Sequence, residues 1–407
     1  MTSAAPVVVV GAGVAGLSLA AALGEPALVL ERGPQAGVGA SAQNAGMVRR
    51  LGEDPYERAL ALRTHAALEA LEARGLEGVS RRTGAVLGLC AEKEHLHDGI
   101  AHLRAAGVAV EQLRGAALAA RAPLLQQSPL ADGWWLPDER VADAAALIDL
   151  LRLRLHDAGG EVRLGVEVVA LDVAAGRVAG LWTRSAPGAP VERVAAAAVV
   201  LAAGAWCAGL AAGAGLHRHL IPVRRTLLLS AGGPPPPAGH PWVWLDDLGL
   251  YARPEGEGWL VSGCDEQVDW PAGADTLGPP TTVAAALTAD KVRRWMPALG
   301  LPAWRTGWSG LRTFAPDRRP VLGPDAALPG LHWCAGLGGF GVSCGWAAGE
   351  AVAGWLRGQT VPWLDPTGVR PDRKMPARWP LRPTGELWTA RLADGRALPP
   401  GPVGPGG

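Results

Sequence analysis

Six consecutive residues near the start of the chain, Gly11-Ala12-Gly13-Val14-Ala15-Gly16, have the types and spacing to cradle a pyrophosphate. Gly11 permits a tight turn, Gly13 lets the backbone approach phosphate oxygens, and Gly16 lets a helix pack closely on a strand. The helix that follows offers free amides and the positive end of its dipole to the anion. Glu31 lies twenty positions after Gly11, where a carboxylate can accept hydrogen bonds from ribose hydroxyls. A glycine turn alone is weak evidence. The β-branched run before it and the acid at this distance make it strong. An acid here also disfavours a 2′-phosphate, so NADP is not expected. The motif by itself does not separate FAD from NAD.

Two further segments have no obvious use in a simple NAD enzyme. One is Val199-Val200-Leu201-Ala202-Ala203-Gly204-Ala205-Trp206, an apolar run ending in small residues and a tryptophan. The other is Gly336-Leu337-Gly338-Gly339-Phe340-Gly341-Val342, ahead of a helical stretch. Small residues let backbone amides come close to something flat and electron-rich. A reduced flavin gathers negative charge near N1 and O2, and amides aimed there would stabilise it. For the second segment, a tight glycine connection is the plain alternative.

These residues need elements to position them. Pro6 to Val10 reads as a buried parallel strand, Val14 to Leu23 as a helix, and Ala27 to Leu30 as a second strand closed by Glu31. Ala40 to Arg50 reads as a loop, followed by helix through about Ala73. Thr83 to Cys90 is expected as strand, Lys93 to Ala106 and Ala144 to Ala158 as helices, and Glu161 to Asp172 and Ala195 to Leu201 as strands. Pro222 to Ser230, Pro241 to Leu245, Leu250 to Arg253 and Trp259 to Gly263 are short runs separated by turn residues, as in an antiparallel sheet. Helix is expected at Thr282 to Met296, strand at Leu331 to Ala335, and helix from about Gly345 to Leu356. The fold expected is α/β: a doubly wound domain over 1–80, 140–215 and 305–370, interrupted by a mixed, largely antiparallel substrate domain with helices over 81–139 and 216–304. Residues 371–407 read as a C-terminal extension, disordered over Leu398 to Gly407.

Composition narrows the partners. The 407 residues carry 38 basic and 38 acidic side chains, so no nucleic-acid or anionic-membrane partner is indicated. Cys90, Cys207, Cys264, Cys334 and Cys344 form no C-x-x-C pair, which argues against a disulfide framework and a zinc site. Met1 to Pro6 has no basic residue, and the apolar run behind it breaks at Gly11. That pattern suits neither a signal peptide nor a membrane span, and a soluble, cytoplasmic protein is expected. Trp242, Trp244, Trp259 and Trp308 cluster in the supposed substrate region, either as ordinary packing or as walls of an apolar pocket.

Five blocks now stand together: VVVVGAGVAG with ALVLER, GASAQNAGM, LAAGAWCAGL, WSGLRTFAPDRRPVLGP, and WCAGLGGFGVSCGWAAGEAVA. Over roughly residues 6 to 373 they resemble the D-amino-acid oxidase-like family of FAD-dependent oxidoreductases, which includes glycine and sarcosine oxidases and bacterial D-amino-acid dehydrogenases. AGAWC, the Arg224-Arg225 pair and WSGLRTF bring the dehydrogenase-like subgroup nearest. The resemblance implies FAD held by Gly11, Gly13, Val14, Ala15 and Gly16, with Glu31 on the adenosine ribose and Arg32 close by. It implies that Ser41, Gln43, Asn44, Ala45 and Gly46 pass beside the pyrophosphate and flavin ring, and that Val168 offers backbone groups to adenine. Ala203, Gly204 and Trp206 would line the cofactor, and Gly338, Gly339, Phe340, Gly341 and Val342 would lie by the flavin. No cysteine precedes the APD-type turn, so the FAD is expected to be non-covalent.

For the substrate, the resemblance implies that Arg312 clamps a carboxylate, a task that suits a guanidinium fork. An arginine paired to a structural acid is the alternative. Tyr251 matches the family's carboxylate-binding tyrosine, against the plainer reading of a core tyrosine. Arg224 and Arg225 sit in one strand and point to opposite faces, so at most one faces the flavin. His332 reads as a core or edge residue, and Met47 stands where some relatives place a histidine. Hydride would then pass from the α-carbon of a neutral amine to flavin N5 without a strong protein base, giving an imine that hydrolyses. The expected substrate is a small amino acid or amine of glycine, D- or N-methyl type, with oxygen or a quinone or other electron carrier as acceptor. Two other readings stay open: the catalytic subunit of a hetero-oligomeric amine or opine-type dehydrogenase, and a flavin-binding protein without turnover.

Overall fold

The valine run Val7–Val10 lies at the middle of a six-stranded sheet. It pairs in parallel with Ala27–Glu31 on one side and Ala198–Leu201 on the other. Glu161–Leu164 extends the first side and Leu331–Ala335 the second, both in parallel, and Val321–Pro324 closes the edge antiparallel. Strands covered on both faces need apolar side chains at every position, and Val8, Val9, Val199 and Val200 are fully buried. The computed structural model describes residues 5–89, 94–130, 132–271, 278–300 and 303–376. Cys90 and the expected tail from Leu398 to Gly407 lie outside the described residues.

One face of the sheet is covered by the helices Val14–Leu23, Pro55–Glu72, Ala144–Asp157 and Gly341–Leu356. Asp54 caps the second of these, its carboxylate accepting from the amides of Tyr56 and Glu57, with Pro55 entering the first turn. Asp143 caps the third in the same way. The other face carries a three-stranded antiparallel sheet, Glu167–Ala174, Arg177–Arg184 and Glu192–Ala195, and the helix Cys207–Gly213.

A nine-stranded sheet forms the second layer system. Its longest pairing is Ala303–Phe314 against Ile221–Ala231, running from Ile221 opposite Phe314 to Ala231 opposite Ala303. Gly258–Ser262, Leu250–Glu255 and Trp242–Leu245 follow antiparallel. Trp242–Leu245 then pairs in parallel with Ala85–Leu89, beyond which lie Asp132–Leu136 and Glu111–Arg114. The strand Ala303–Phe314, with its WSGLRTF run, thus belongs to this sheet and not to the six-stranded one.

Four expected segments differ from the sequence reading, the first being the loop expected over Ala40 to Arg50, where Met47–Val48 pairs as a short strand with Arg140–Ala142. The strand expected over Glu161 to Asp172 is two strands in two sheets, because Gly165 turns the chain at φ 71°. The strand expected over Ala195 to Leu201 is likewise divided, its first residue closing the three-stranded sheet. The last helix begins at Gly341, a turn before Gly345, so the end of the glycine loop is already helical. Among the described residues, no helix is long and apolar enough to cross a membrane.

Candidate active site and cofactor cavity

A cavity of about 970 Å³ opens at the carboxyl ends of Val7–Val10, Ala27–Glu31, Ala198–Leu201 and Leu331–Ala335, and runs to the inner face of the nine-stranded sheet. Its first end is the glycine turn. Gly11 has φ 105°, and a Cβ there would stand 2.6 Å from the Ala202 carbonyl oxygen, so only glycine fits. Gly16 does not line the cavity. A Cβ on it would collide with the Gly11 carbonyl, which is the close helix-to-strand packing expected of it.

Glu31 braces the turn. Its Oε2 accepts from the Ala12 amide at 2.9 Å and its Oε1 from the Gly33 amide at 2.8 Å, while the residue lines the cavity. A carboxylate oxygen has capacity for a further donor, so a ribose hydroxyl is compatible with this geometry. Ser41 Oγ accepts from the Val14 amide at 3.0 Å, and Asn44 Oδ1 accepts from the Gly46 amide at 2.6 Å, which shapes the loop along the cavity wall. The Arg32 guanidinium lies 3.6 Å over the Trp206 ring, and both residues line the cavity. Val168, Ala203 and Gly204 line the same end, and Gly338 to Val342 line the other. A long cavity with a glycine turn and helix N-terminus at one end, and a small-residue wall at the other, fits an extended dinucleotide such as FAD.

The far end carries charge. Arg225, Tyr251, Glu266, Arg312 and Arg318 all line it. Glu266 Oε1 lies 2.9 Å from Arg318, 3.2 Å from Arg312 and 3.6 Å from Arg225. Burial pushes the Glu266 carboxyl up, but Arg312, Arg318 and Arg225 together hold it down at about 2. Burial and the neighbouring Arg225 lower Arg312 to about 10, so it is still charged at neutral pH. Burial raises Tyr251, which therefore remains a phenol. A Cβ on Gly339 would stand 3.1 Å from Arg312 Nη1, so the absent side chain leaves the guanidinium its place against the glycine loop.

Four rings and planes stack along one wall. The Arg49 guanidinium lies 4.1 Å from the Phe340 ring and 3.9 Å from the Trp244 ring, and Trp244 stacks on Tyr251 at 4.9 Å. Trp244 is thus the cavity-lining member of the tryptophan cluster, while Trp242 and Trp259 are packed in the core.

The arginine pair resolves as the strand alternation requires. Arg225 is buried and lines the cavity. Arg224, a site candidate from the sequence, points to the other face, donating to Asp269 at 2.7 and 2.9 Å, and does not join the cavity. Arg312 lines the cavity and also pairs with a buried acid, Glu266, the contact named by the alternative reading of it. Cys334 and Cys207 are buried thiols pushed up to about 12, and burial also raises Cys344 well above its usual value, as suits small apolar residues. His332 is half-buried on its strand and lies off the cavity. Arg49, Glu266 and Arg318 are the site residues that the sequence reading missed.

The family profile described as "FAD dependent oxidoreductase" (DAO) matches residues 6–355. The chain belongs to this family. It is an FAD-dependent oxidoreductase, and FAD is its cofactor. Over 270 residues this flavoenzyme is 27% identical to the D-amino acid dehydrogenase of Methylobacterium sp. (strain 4-46), covering 65% of this chain and 61% of that protein. The match spans less than two thirds of that relative's length. Among solved structures, the glycine oxidase from Geobacillus kaustophilus superposes with a TM-score of 0.74 and 24% identity, covering 91% of this chain and 99% of that one. The L-proline dehydrogenase from P. horikoshii gives a TM-score of 0.76 at 21% identity, with 88% and 95% covered. These two likenesses establish the shared fold.

Proposed function

We propose that this flavoenzyme oxidises the carbon beside the nitrogen of a small amino acid or amine carrying a carboxylate. The observation that supports this most is Arg312, a charged guanidinium on the cavity wall against Gly339, with the phenol of Tyr251 lining the same end. FAD, when bound, supplies the two-electron oxidant that accepts the substrate's hydride. Arg312 and Tyr251 hold and orient the carboxylate, and Arg49 and Trp244 fix the ring of Tyr251 from behind. No histidine lines the cavity among the described residues, and the acids at this end, Glu266 and Glu53, lie against arginines, so none of these serves as base. The substrate nitrogen therefore reacts as the neutral amine. Loss of hydride from carbon leaves an iminium ion, which gives a proton from nitrogen to water, and the resulting imine is hydrolysed to the carbonyl acid and the free amine or ammonia. Oxygen or a separate electron carrier then takes the electrons, and the rate at which colour returns in air distinguishes the two.

Replacing Arg312 tests the reading. Removing one partner of a desolvated charge pair costs about 2–5 kcal/mol, so Arg312→Ala should weaken substrate binding by at least about thirtyfold while the protein keeps its FAD. Arg312→Lys should recover part of the loss. A variant that reduces FAD with substrate as tightly as the parent, or one that fails to fold in both forms, would assign Arg312 to structure alone.

A further inference from the structure

Arg318 holds Glu266 with both arms of its guanidinium, Nη2 donating to Oε1 at 2.9 Å and Nη1 to Oε2 at 3.2 Å, while Arg312 shares Oε1 at 3.2 Å. Arg318 and Arg312 also lie over one ring, that of Phe314, at 4.3 and 5.0 Å. The place of Arg312 on the cavity wall therefore depends on where Arg318 stands. Arg318 stands on an unfavourable backbone. Its φ of 64° is one that arginine seldom adopts, and such a conformation persists only where its surroundings hold it. The Arg318 amide donates to the Ala315 carbonyl at 2.8 Å, which closes the turn on one side.

The other hold comes from a segment beyond the last helix. Arg373 donates through Nε and Nη2 to the two oxygens of Asp317, each at 2.7 Å, and through the same Nη2 to the Arg319 carbonyl at 3.0 Å. It thus grips the residue before Arg318 and the residue after it. Asp317 Oδ1 also accepts from the Arg319 amide at 3.1 Å. Nη1 of Arg373 donates to the Arg370 carbonyl at 2.9 Å, and the Leu322 amide donates to the Val369 carbonyl at 2.8 Å, so this segment is tied to the strand that follows the turn. The Arg373 side chain is only 6% exposed, which sets the pair apart from screened surface contacts that contribute little. Arg373 lies outside the residues 6–355 that the family profile matches.

We propose that Arg373 and Asp317 are positioning residues for the substrate carboxylate, acting through Arg318 and Glu266 on Arg312. Neither lines the cavity, so neither touches the substrate or FAD. The inference rests on the reading of Arg312 as the clamp on the carboxylate, and extends it to a pair behind the cavity wall.

The test is the binding of acetate and benzoate, carboxylates with no amine to oxidise, to the FAD-loaded protein, read from the shift of the flavin band. Reduction by an amino acid without oxygen is followed beside it, which separates the dissociation constant from the limiting rate. Arg373→Met should weaken carboxylate and amino-acid binding about tenfold or more, leave the limiting rate within about threefold, and leave the FAD content unchanged. Arg373→Lys keeps the charge without the fork and should recover part of the affinity. Asp317→Asn should match Arg373→Met, and the double variant should be no worse than either, since the two act as one unit. Variants that bind carboxylates as tightly as the parent, even with a lowered melting temperature, would make the pair a structural clasp and overturn the inference while Arg312 keeps its role. Failure of every variant to fold with FAD would do the same. A parent protein that neither binds a carboxylate nor is reduced by an amino acid would remove the reading of Arg312 and this inference together.

Discussion

Glu266 keeps its charge in a place where burial alone would neutralise it, because three guanidiniums converge on it. Its carboxyl titrates near 2 in the folded protein, against about 4.5 when exposed. A depressed carboxyl pKa stabilises the fold above the unfolded value, and the contribution is lost as pH falls towards the folded one. The shift corresponds to about 3 kcal/mol. Glu266→Gln should therefore be less stable than the parent by about that amount at pH 7, measured by denaturant unfolding. The gap should narrow as pH drops below about 4.5. A gap that stays constant from pH 7 to pH 3 would show that the loss comes from packing and not from the charge. The same side chain explains what was hard to read from the sequence. Glu266, Arg318 and Arg49 come from three separate segments, and Arg318 holds a left-handed conformation, φ 64°, that arginine seldom adopts. No periodicity or spacing brings them to Arg312. Alternation along one strand did place Arg225 and Arg224 on opposite faces, because that follows from strand geometry alone.

At the scale of elements, the cofactor end depends on two helices packed closely through small residues. Val14–Leu23 and Gly341–Leu356 meet where Gly345 faces Val14 and Gly349 faces the backbone of Ser18 and Leu19. A Cβ on Gly349 would collide with the Leu19 amide nitrogen, in a place where backbone and not a flexible tip must give way. Helix propensity alone favours alanine over glycine by about 1 kcal/mol. Overpacking costs about 1–3 kcal/mol and should win here, so Gly349→Ala should lower the melting temperature by several degrees. A melting temperature that rises would mean that the helices part at no cost. The strand, turn, helix and acid of the dinucleotide motif were legible because each follows from local chemistry: β-branched residues, glycines at fixed offsets, and an acid at the end of the next strand. The break at Gly165 and the helix start at Gly341 were not, since tertiary contacts decide whether a glycine turns the chain or continues a helix.

For the whole molecule, the cavity joins the two large sheets, and FAD spanning it should tie their stabilities together. Bound cofactor stabilises by mass action, about 2.7 kcal/mol at a hundredfold excess over its dissociation constant. Adding FAD to stripped protein should raise the melting temperature in a concentration-dependent way. Cys334, the cysteine that lines the cavity, is buried and hard to ionise, so acid precipitation should release the yellow colour into the supernatant. Colour retained in the pellet would mean a covalent link. The central claim, that this is an FAD enzyme acting on an amine carboxylate, is tested most directly by the visible spectrum of the purified protein under anaerobic titration with amino acids. The expected result is a yellow protein whose flavin band is bleached by at least one amino acid and returns when an electron acceptor is admitted. A colourless protein that FAD cannot reconstitute, or a yellow one that no amine bleaches, would contradict it.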